Sequence, residues 1–457
     1  MNRIAGRAGI TLLLALLLVA GFAFFVAEFV SRADEWVVFP GSPHVYNGGN
    51  IGCGVVIDAE DTLLLDLNNG RRYSNLEEIR KSTLHWLGDR NGSISAPALS
   101  QYSSQIAGFD LLNGVYNYGD TGGVARLTLS AAVQTAALEA LGEHKGTVAV
   151  YNYKTGQLIC AVTTPTYDPD NVPDIQGDTT GAYEGAYVNR FTQSVYIPGS
   201  IFKIVTVAAA LETSPEICEQ TFVCTGSLAF GADKITCERG HGKQDLKTAF
   251  CNSCNCAFAQ IAQQLGAQTL ERYVQQFAVT QSVSFDGVRT AKGNFQVADT
   301  AEVNVAWSAI GQYKDQINPC AFLCFVGAVA NGGRGVTPYL VEEITAGMST
   351  TYSAQSQTGK RIMAASTAEL VGEYMRNNVL EKYGDDWFPG LNVCAKTGTG
   401  EVGGQQKPNA MLAGFVEDEK YPLAFIVCVE DGGYGSSVCL PIASQVLESC
   451  KTFMDAN

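Results

Sequence analysis

The chain has 457 residues, of which 46% are hydrophobic and 16% charged, a composition typical of folded globular proteins and unlike that of disordered ones. This length is enough for two or three domains and for at least one large hydrophobic core. The formal net charge is −15 and the basic residues form no run, which argues against nucleic acid as a partner.

The first predicted element is a membrane helix at residues 8–27. This stretch carries no charge, is dominated by Leu, Val, Ala and Phe, and follows Arg3 and Arg7. Because positive charge before a span favours the cytoplasmic side, we expect residues 1–7 in the cytoplasm and the remaining chain outside, on a single-pass anchor in the cell membrane. A cleaved signal peptide is the alternative, but its apolar region is normally shorter and ends in a small-x-small site, which residues 28–30 do not offer.

Residues 28–123 show an irregular pattern rich in Gly, Asn, Ser and Tyr. Short strand-like pieces occur at residues 54–57 and 62–67. We interpret this region as a juxtamembrane module or spacer.

From residue 124 onward the pattern is regular and predicts a single domain, 124–457. Its predicted strands are at 147–151, 157–162, 391–395 (leading into 396–400), 410–416 and 423–429. Its predicted helices are at 127–141, 246–265, 270–277, 303–310, 321–330, 365–379 and 442–453. Strands at both ends of the domain with helices between them indicate an α/β (α+β) fold. We expect a central antiparallel sheet of about five strands flanked by helices, plus a helical subdomain.

Fourteen cysteines in a chain expected outside the cell raise the question of disulfides and metal sites. Cys224 and Cys237 flank a short glycine-containing segment that one disulfide could close as a hairpin. Cys251, Cys254 and Cys256, or Cys320 and Cys324, have a spacing superficially like that of metal ligands. Because they lie in apolar helical stretches, buried thiols are favoured, and no metal is predicted.

The stretch 196–203, Tyr-Ile-Pro-Gly-Ser-Ile-Phe-Lys, is the first candidate for chemistry. Its Pro-Gly break precedes an apolar run, so a helix should begin near Ser200 and place Lys203 on the same face. A lysine amine that its surroundings keep neutral can take the proton of a serine hydroxyl and make it a nucleophile. An isolated Ser-x-x-Lys is more often a helix start with its lysine in solvent.

Two further motifs strengthen the hypothesis of a serine nucleophile. Ser253-Cys254-Asn255 places polar side chains inside a predicted apolar helix, and Lys396-Thr397-Gly398 begins a predicted strand. Ser-x-x-Lys and Ser-x-Asn each occur once in the chain. Lys-Thr-Gly occurs twice, but the copy at residues 154–156 falls in a predicted hairpin turn and precedes the other motifs, so it is interpreted as turn chemistry.

The three motifs in this order resemble the set found in penicillin-interacting serine enzymes. From about residue 127 onward the chain resembles the transpeptidase domain of monofunctional class B penicillin-binding proteins, with further matches at 146–165, 189–190, 237–241, 310–312, 330–333 and 395–401. The departures are Thr164, Ile201 and Tyr313, where the family more often has Ser, Thr and Gly, and none removes a catalytic group.

The resemblance implies a peptidoglycan D,D-transpeptidase that binds β-lactams. Ser200 would attack the bond between the terminal D-alanines of a stem peptide, with Lys203 as base. Ser253 would relay a proton, and Asn255 would hold Lys203 and the substrate amide. The family's carboxylate site corresponds to Lys396, Thr397, Gly398 and Thr399, and its oxyanion hole to the backbone N–H groups of Ser200 and Thr399.

The resemblance also implies that catalysis needs no metal or other cofactor. Stem peptides, β-lactams, the membrane and cell-wall synthesis proteins are the expected partners, and nucleic acid is not. Alternative activities are a D,D-carboxypeptidase or endopeptidase and a serine β-lactamase. The alternative outside enzymes is a β-lactam sensor or an assembly scaffold. A β-lactamase needs a base that activates water, which the sequence does not identify, and a sensor should carry several spans or an intracellular domain.

Overall fold

The computed structural model describes residues 2–38, 46–47, 50–68, 70–109, 111, 122–403 and 406–457. The first helix, α1 (Asn2–Val37), is long and apolar enough to cross a membrane over Ile4–Ala33, and its most apolar stretch is not buried against the rest of the protein. This helix includes the predicted anchor at residues 8–27. Its orientation in a membrane stays a prediction.

Most of the helices that follow α1 lie, in chain order, between the first and last strands of a five-stranded sheet that is described below. They are α2 (Glu77–Leu87), α3 (Pro97–Gln101), α4 (Ser103–Ile106), α5 (Ala131–Leu141), α6 (Arg190–Gln193), α7 (Lys203–Thr213), α8 (Leu246–Cys251), α9 (Asn255–Leu265), α10 (Ala267–Gln276), α11 (Glu302–Ala309), α12 (Pro319–Ala330), α13 (Ala365–Asn378) and α14 (Gly435–Ala456).

The strands of the described residues form two larger sheets and several hairpins. They are β1 (Tyr46–Asn47), β2 (Asn50–Ile51), β3 (Val55–Ile57), β4 (Leu63–Asp66), β5 (Arg72–Tyr73), β6 (Val124–Leu127), β7 (Gly146–Asn152), β8 (Leu158–Thr164), β9 (Phe222–Cys224), β10 (Ser227–Phe230), β11 (Asp233–Thr236), β12 (Gly242–Gln244), β13 (Ser284–Phe285), β14 (Val288–Arg289), β15 (Arg334–Thr337), β16 (Val341–Ala346), β17 (Ser349–Ser353), β18 (Gln357–Arg361), β19 (Val393–Gly400), β20 (Asn409–Val416) and β21 (Leu423–Val429).

One of the two larger sheets has five antiparallel strands in the order β19-β20-β21-β7-β8. We call it the catalytic sheet because β19 carries the Lys396-Thr397-Gly398 motif. Neighbouring residues of a strand point to opposite faces, and both faces of this sheet are covered, so its strands are apolar throughout. In β7, Val148 and Val150 join one core while Ala149 and Tyr151 join the other. The predicted antiparallel sheet built from both ends of the domain is confirmed.

Helices α5 and α14 cover one face of this sheet, and α12 and α13 cover the other. On the first face, Val133 and Leu141 of α5 meet Val446 and Leu447 of α14. Helices α7 and α9 extend the core on the second face into a mainly helical region, which corresponds to the predicted helical subdomain. The active-site motifs lie at the junction between this region and β19.

A second sheet, in the order β17-β16-β6-β3-β4-β5, combines strands from before and after residue 124. Strand β3 pairs in parallel with β6, and β16 pairs antiparallel with the other side of β6. The strand-like pieces predicted at 54–57 and 62–67 are thus β3 and β4. The domain boundary at residue 123 stays a prediction.

Three predicted helices differ clearly in extent from the observed ones. The closing helix, predicted at 442–453, is longer and spans Gly435–Ala456 as α14. The helix predicted at 127–141 begins only at Ala131, because Leu127 ends β6 and the Ser130 hydroxyl caps the helix by accepting the N–H of Val133 at 3.4 Å. The helix predicted at 246–265 is two helices, α8 and α9. The chain breaks between them at Ser253, whose φ of 50° lies in the left-handed region.

Candidate active site

Ser200 lies in a tight 3-10 turn, Gly199–Phe202, that leads directly into α7. The helix start predicted near Ser200 is confirmed. Gly199 has φ of 54°, a conformation that favours glycine, and its N–H donates to the Gly311 carbonyl at 2.8 Å. Lys203, the first residue of α7, is fully buried, whereas Ser200 is half-buried.

The Lys203 amine is the centre of the site. Its Nζ lies 2.8 Å from Ser200 Oγ and 3.1 Å from Ser253 Oγ. It also lies 3.0 Å from the Ser253 carbonyl oxygen and 2.7 Å from Asn255 Oδ1. A neutral amine can donate to the last two oxygens, which leaves its lone pair free to accept the Ser200 hydroxyl proton.

The break between α8 and α9 positions Ser253 and Asn255. The sequence analysis placed these residues inside one helix, which is wrong, because the left-handed φ at Ser253 turns the chain so that both side chains face Lys203. Cys254 caps α9, its sulfur accepting the N–H of Ala257. The Asn255 amide also donates to the Thr236 carbonyl at 2.9 Å, which fixes the side chain from its other end.

Lys396 reaches the site from β19. Its Nζ donates to Ser253 Oγ at 3.1 Å and to the Thr397 carbonyl at 3.0 Å. The hydroxyl of Ser253 therefore lies between two lysine amines. The two amines also approach aromatic rings, that of Lys203 over Phe258 and that of Lys396 over Phe250.

Burial controls the charge of both lysines. It lowers the pKa of Lys203 from its ordinary value of 10.5 to about 7, partly opposed by the nearby thiols of Cys237 and Cys254. The pKa of Lys396 is also lowered, first by burial and then by repulsion from Lys203. A neutral Lys203 is thus accessible near neutral pH, as a general base requires.

The KTG strand, β19, packs against the Ser200 turn through glycines. A Cβ at Gly199 would lie 2.2 Å from the Thr399 carbonyl oxygen, and one at Gly400 would lie 2.2 Å from the Ile197 carbonyl oxygen. A Cβ at Gly398 would lie 3.0 Å from the Ile201 nitrogen. These close approaches bring the backbone of β19 alongside the nucleophile.

Two residues at the site had no role assigned from the sequence. The hydroxyl of the half-buried Tyr383 accepts the Thr397 N–H at 3.0 Å and lies 3.1 Å from Thr397 Oγ1. Gln312 donates its side-chain amide to the Thr399 carbonyl at 3.0 Å. Gln312 stands in one of the matching segments, 310–312, which could have identified it, but no sequence signal singled out Tyr383.

Two further positions from the sequence analysis, the Lys-Thr-Gly copy at residues 154–156 and Tyr313, lie in turns. This Lys-Thr-Gly copy lies in the turn between β7 and β8, as predicted. There the Lys154 amine donates to the Asn331 side-chain oxygen. Tyr313 has φ of 68°, a left-handed conformation that explains why glycine is commoner at this position. None of these residues joins the lysine cluster.

Ser200, Lys203, Ser253, Asn255 and Lys396 thus form one hydrogen-bonded cluster beside an extended strand. This arrangement can activate a serine and move its proton through a second hydroxyl, which is the chemistry of acyl transfer. A family model described as the penicillin binding protein transpeptidase domain matches residues 146–448. The chain belongs to this family.

Relatives of this penicillin-binding protein match beyond the family domain. Peptidoglycan D,D-transpeptidase PbpA of Mycobacterium tuberculosis is 28% identical over 368 residues, which are 72% of this chain and 72% of the relative. Stage V sporulation protein D of Bacillus subtilis is 28% identical over 345 residues, which are 70% of this chain and 52% of the relative.

Solved penicillin-binding proteins have the same fold. Penicillin-binding protein A from M. tuberculosis, as a ceftriaxone acyl-enzyme, superposes with a TM-score of 0.76 at 22% identity, covering 87% of this chain and 98% of that one. The D,D-transpeptidase domain of a peptidoglycan glycosyltransferase from Eggerthella lenta gives a TM-score of 0.76 at 23% identity, covering 88% and 98%. The predicted fold class is confirmed.

Proposed function

We propose that this chain is a membrane-anchored peptidoglycan D,D-transpeptidase that crosslinks stem peptides through an acyl-enzyme at Ser200. The observation that carries the proposal is the 2.8 Å contact between Ser200 Oγ and a buried Lys203 amine, whose pKa is lowered to about 7. Family membership supports the reaction class, since the relatives above are named D,D-transpeptidases.

In the acylation step, Ser200 Oγ forms a bond to the carbonyl carbon of the penultimate D-alanine. Its proton passes to Lys203, and the tetrahedral carbon bears an oxyanion. Collapse then breaks the C–N bond to the terminal D-alanine. A proton passes through the Ser253 hydroxyl, 3.1 Å from Lys203, to the leaving nitrogen, so that D-alanine departs as the neutral amine.

The KTG strand is proposed to hold the substrate by its terminal carboxylate. Lys396 supplies positive charge and Thr397 and Thr399 supply hydroxyl groups, while Gly398 lets the peptide lie close to the backbone. A bound carboxylate favours the charged form of Lys396 and so offsets the effect of burial on its pKa. The N–H groups of Ser200 and Thr399 are proposed to stabilise the oxyanion.

In the second step, the amine of another stem peptide attacks the acyl carbon. A new amide bond forms, the bond to Ser200 Oγ breaks, and the amine proton returns to the serine through Lys203. The acceptor lies outside the cytoplasm in this proposal. Helix α1, which is long and apolar enough to cross a membrane, supports a single-pass anchor. In this proposal residues 1–7 lie in the cytoplasm and the catalytic domain lies on the outer face.

Labelled penicillin tests the nucleophile. We expect a stable covalent adduct, located on Ser200 by mass spectrometry of the digested protein and absent from Ser200→Ala. Rapid release of hydrolysed penicillin would instead indicate a β-lactamase and contradict the proposal.

Stem-peptide substrates test the reaction. With a donor pentapeptide and an acceptor amine, we expect D-alanine release together with a crosslinked dimer. Release of D-alanine without any dimer would indicate a carboxypeptidase. Full complementation of a deletion strain by Ser200→Ala would indicate a scaffold or sensor.

A further inference from the structure

Three thiols and one imidazole converge directly behind the turn that carries Ser253 and Asn255. Cys224 ends β9, Cys237 follows β11, His241 precedes β12, and Cys254 caps α9. Their three sulfurs and one ring nitrogen all lie within 4.8 Å of one another. Cys224 and Cys254 are buried, and the other two are half-buried.

The distances in this cluster match those of a tetrahedral zinc site. Zn–S bonds of about 2.3 Å and Zn–N bonds of about 2.0 Å place two sulfur ligands about 3.8 Å apart and a sulfur and a nitrogen about 3.5 Å apart. The Sγ atoms of Cys237 and Cys254 are 3.8 Å apart, and Cys224 Sγ lies 3.4 Å from His241 Nδ1. None of the three cysteines forms a disulfide.

The surrounding backbone favours the thiolate form that a metal requires. The Cys256 N–H donates to Cys237 Sγ at 3.3 Å, and the Ala257 N–H donates to Cys254 Sγ at 3.4 Å. Cys254 also sits at the N-terminus of α9, where the helix dipole favours negative charge. Hydrogen bonds to ligand sulfurs of this kind form the outer shell of metal sites.

We propose that Cys224, Cys237, Cys254 and His241 bind one zinc ion. Three cysteines and a histidine complete a four-coordinate sphere, which is typical of structural zinc and leaves no position for a reacting water. The expectation that catalysis needs no metal is therefore compatible with this site. The sequence analysis had set the cysteines aside as buried thiols without using His241, four residues after Cys237.

The bound ion would fasten the active-site turn to the β9–β12 hairpins. Cys254 stands between Ser253 and Asn255, and Asn255 is already tied to the same hairpins through the Thr236 carbonyl at 2.9 Å. A bond from zinc to Cys254, the residue before Asn255, would add a second attachment and stabilise the left-handed backbone conformation of Ser253. Zinc thus positions Ser253 and Asn255 around Lys203, a consequence that rests on the proposed function, whereas zinc binding itself does not.

Metal analysis of the full-length protein in detergent tests the site. After growth with added zinc, we expect about one zinc per chain, as for other closed sites. Cys224→Ser and His241→Ala should lose the metal. Cys218→Ser is the matched control and should retain the metal, because the Cys218 thiol donates to the nearby Pro215 carbonyl and lies outside the cluster.

Cobalt provides a second measurement that needs no substitution. Wild-type protein refilled with Co²⁺ after chelation should show thiolate charge-transfer bands and the d–d bands of tetrahedral cobalt. Wild-type protein without zinc that contains a Cys237–Cys254 disulfide would overturn the proposal. Zinc content that is unchanged in Cys224→Ser and His241→Ala would also overturn it.

Acylation by labelled penicillin then tests the positioning of Ser253 and Asn255 separately from zinc binding itself. Zinc-free protein and His241→Ala, checked for folding by thermal unfolding, should be acylated at Ser200 at least about tenfold more slowly, with zinc restoring the rate of the wild type only. Equal rates with and without zinc would overturn the positioning role. If no sample, including the wild type, were acylated, the proposed function would be contradicted. The zinc content of the wild type and the variants would still show whether the zinc site exists.

Discussion

At the scale of single residues, the site depends on how the protein keeps one lysine neutral. Lys203 is fully buried, and its close partners are the neutral oxygens of Ser200, Ser253 and Asn255. With no carboxylate among these partners, the desolvation of the ammonium form is only partly offset, by the thiols of Cys237 and Cys254, and the pKa falls to about 7. A surface lysine with a pKa near its ordinary value would be almost entirely protonated at pH 7 and could not take the serine proton.

This pKa sets the pH dependence of acylation. Because only neutral Lys203 can act as base, the second-order rate constant for labelled penicillin should rise with pH, reach half of its plateau near pH 7, and level off above it. Lys396, Cys237 and Cys254 face the same amine and will shift the midpoint but not the sign. Thermal unfolding over the same pH range serves as the control, and a rate that falls across neutral pH would contradict the assignment.

Tyr383 is a positioning residue for the KTG strand. In Tyr383→Phe the Thr397 N–H loses its acceptor and Thr397 Oγ1 loses a partner, and each hydrogen bond lost contributes about 0.5–1.5 kcal/mol. We expect acylation efficiency to fall about tenfold, mainly through weaker substrate binding.

Stopped-flow measurement of the acylation rate against penicillin concentration separates binding from chemistry for this variant. Tyr187→Phe, which removes a hydroxyl from an exposed ring, is the matched control and should behave as wild type. A decrease confined to the limiting acylation rate, with binding unchanged, would show that Tyr383 acts on the chemical step.

At the scale of elements, the contact between β19 and the Ser200 turn requires glycine. In Gly199→Ala the new Cβ would lie 2.2 Å from the Thr399 carbonyl oxygen, so the strand and turn must separate. A shift of this size at the nucleophile is expected to slow acylation about 100-fold.

Gly231→Ala is the control for this substitution. Its φ of 64° is similarly left-handed, but no atom lies within 4 Å of the new Cβ. It should cost about 1–2 kcal/mol of stability and leave acylation unchanged. Acylation rates and thermal unfolding midpoints of both variants make the comparison, and equal acylation by the two would refute the steric argument.

The elements also show what sequence patterns can and cannot predict. The strands β7, β8, β20 and β21 were predicted because a strand buried on both faces is a continuous apolar run. The break at Ser253 was missed because a left-handed φ at a serine is maintained by tertiary contacts, here with Lys203 and Lys396. No local pattern encodes those contacts.

The same limit applies to long-range pairing. The parallel alignment of Val55 with Val124 and the antiparallel alignment of Val341 with Leu127 join segments far apart in the chain. Such register is set by the packing of the whole sheet, so the pieces that form β3 and β4 were predicted, whereas β6, β16 and the sheet itself were not. For the site, motif order predicted which residues converge, and the Tyr383 hydroxyl required coordinates.

At the scale of the whole molecule, the residues before the catalytic domain share its core. Trp86 of α2 is 3% exposed, and its Nε1 donates to the Ala161 carbonyl of β8 at 2.7 Å. Its ring also meets Phe191 of α6 edge-on, at 6.4 Å between centroids. Gln134 of α5 extends this link by bonding both Ser82 of α2 and Ala161. We therefore expect α2 and the catalytic sheet to unfold together.

Trp86→Ala tests this coupling. The change removes a buried indole and leaves a cavity between α2, α6 and β8, and it should lower the free energy of unfolding by about 3–5 kcal/mol. Trp387→Ala is the matched control and should cost clearly less, because Trp387 is 41% exposed.

The measurement follows two signals during heating of the full-length protein in detergent: tryptophan fluorescence and the fraction of protein still acylated by labelled penicillin. If α2 and the catalytic sheet form one cooperative unit, the two signals share a midpoint, and Trp86→Ala lowers both by the same amount. An early fluorescence transition that precedes the loss of acylation in the wild type and is missing in Trp86→Ala would instead show that the region before residue 124 unfolds by itself.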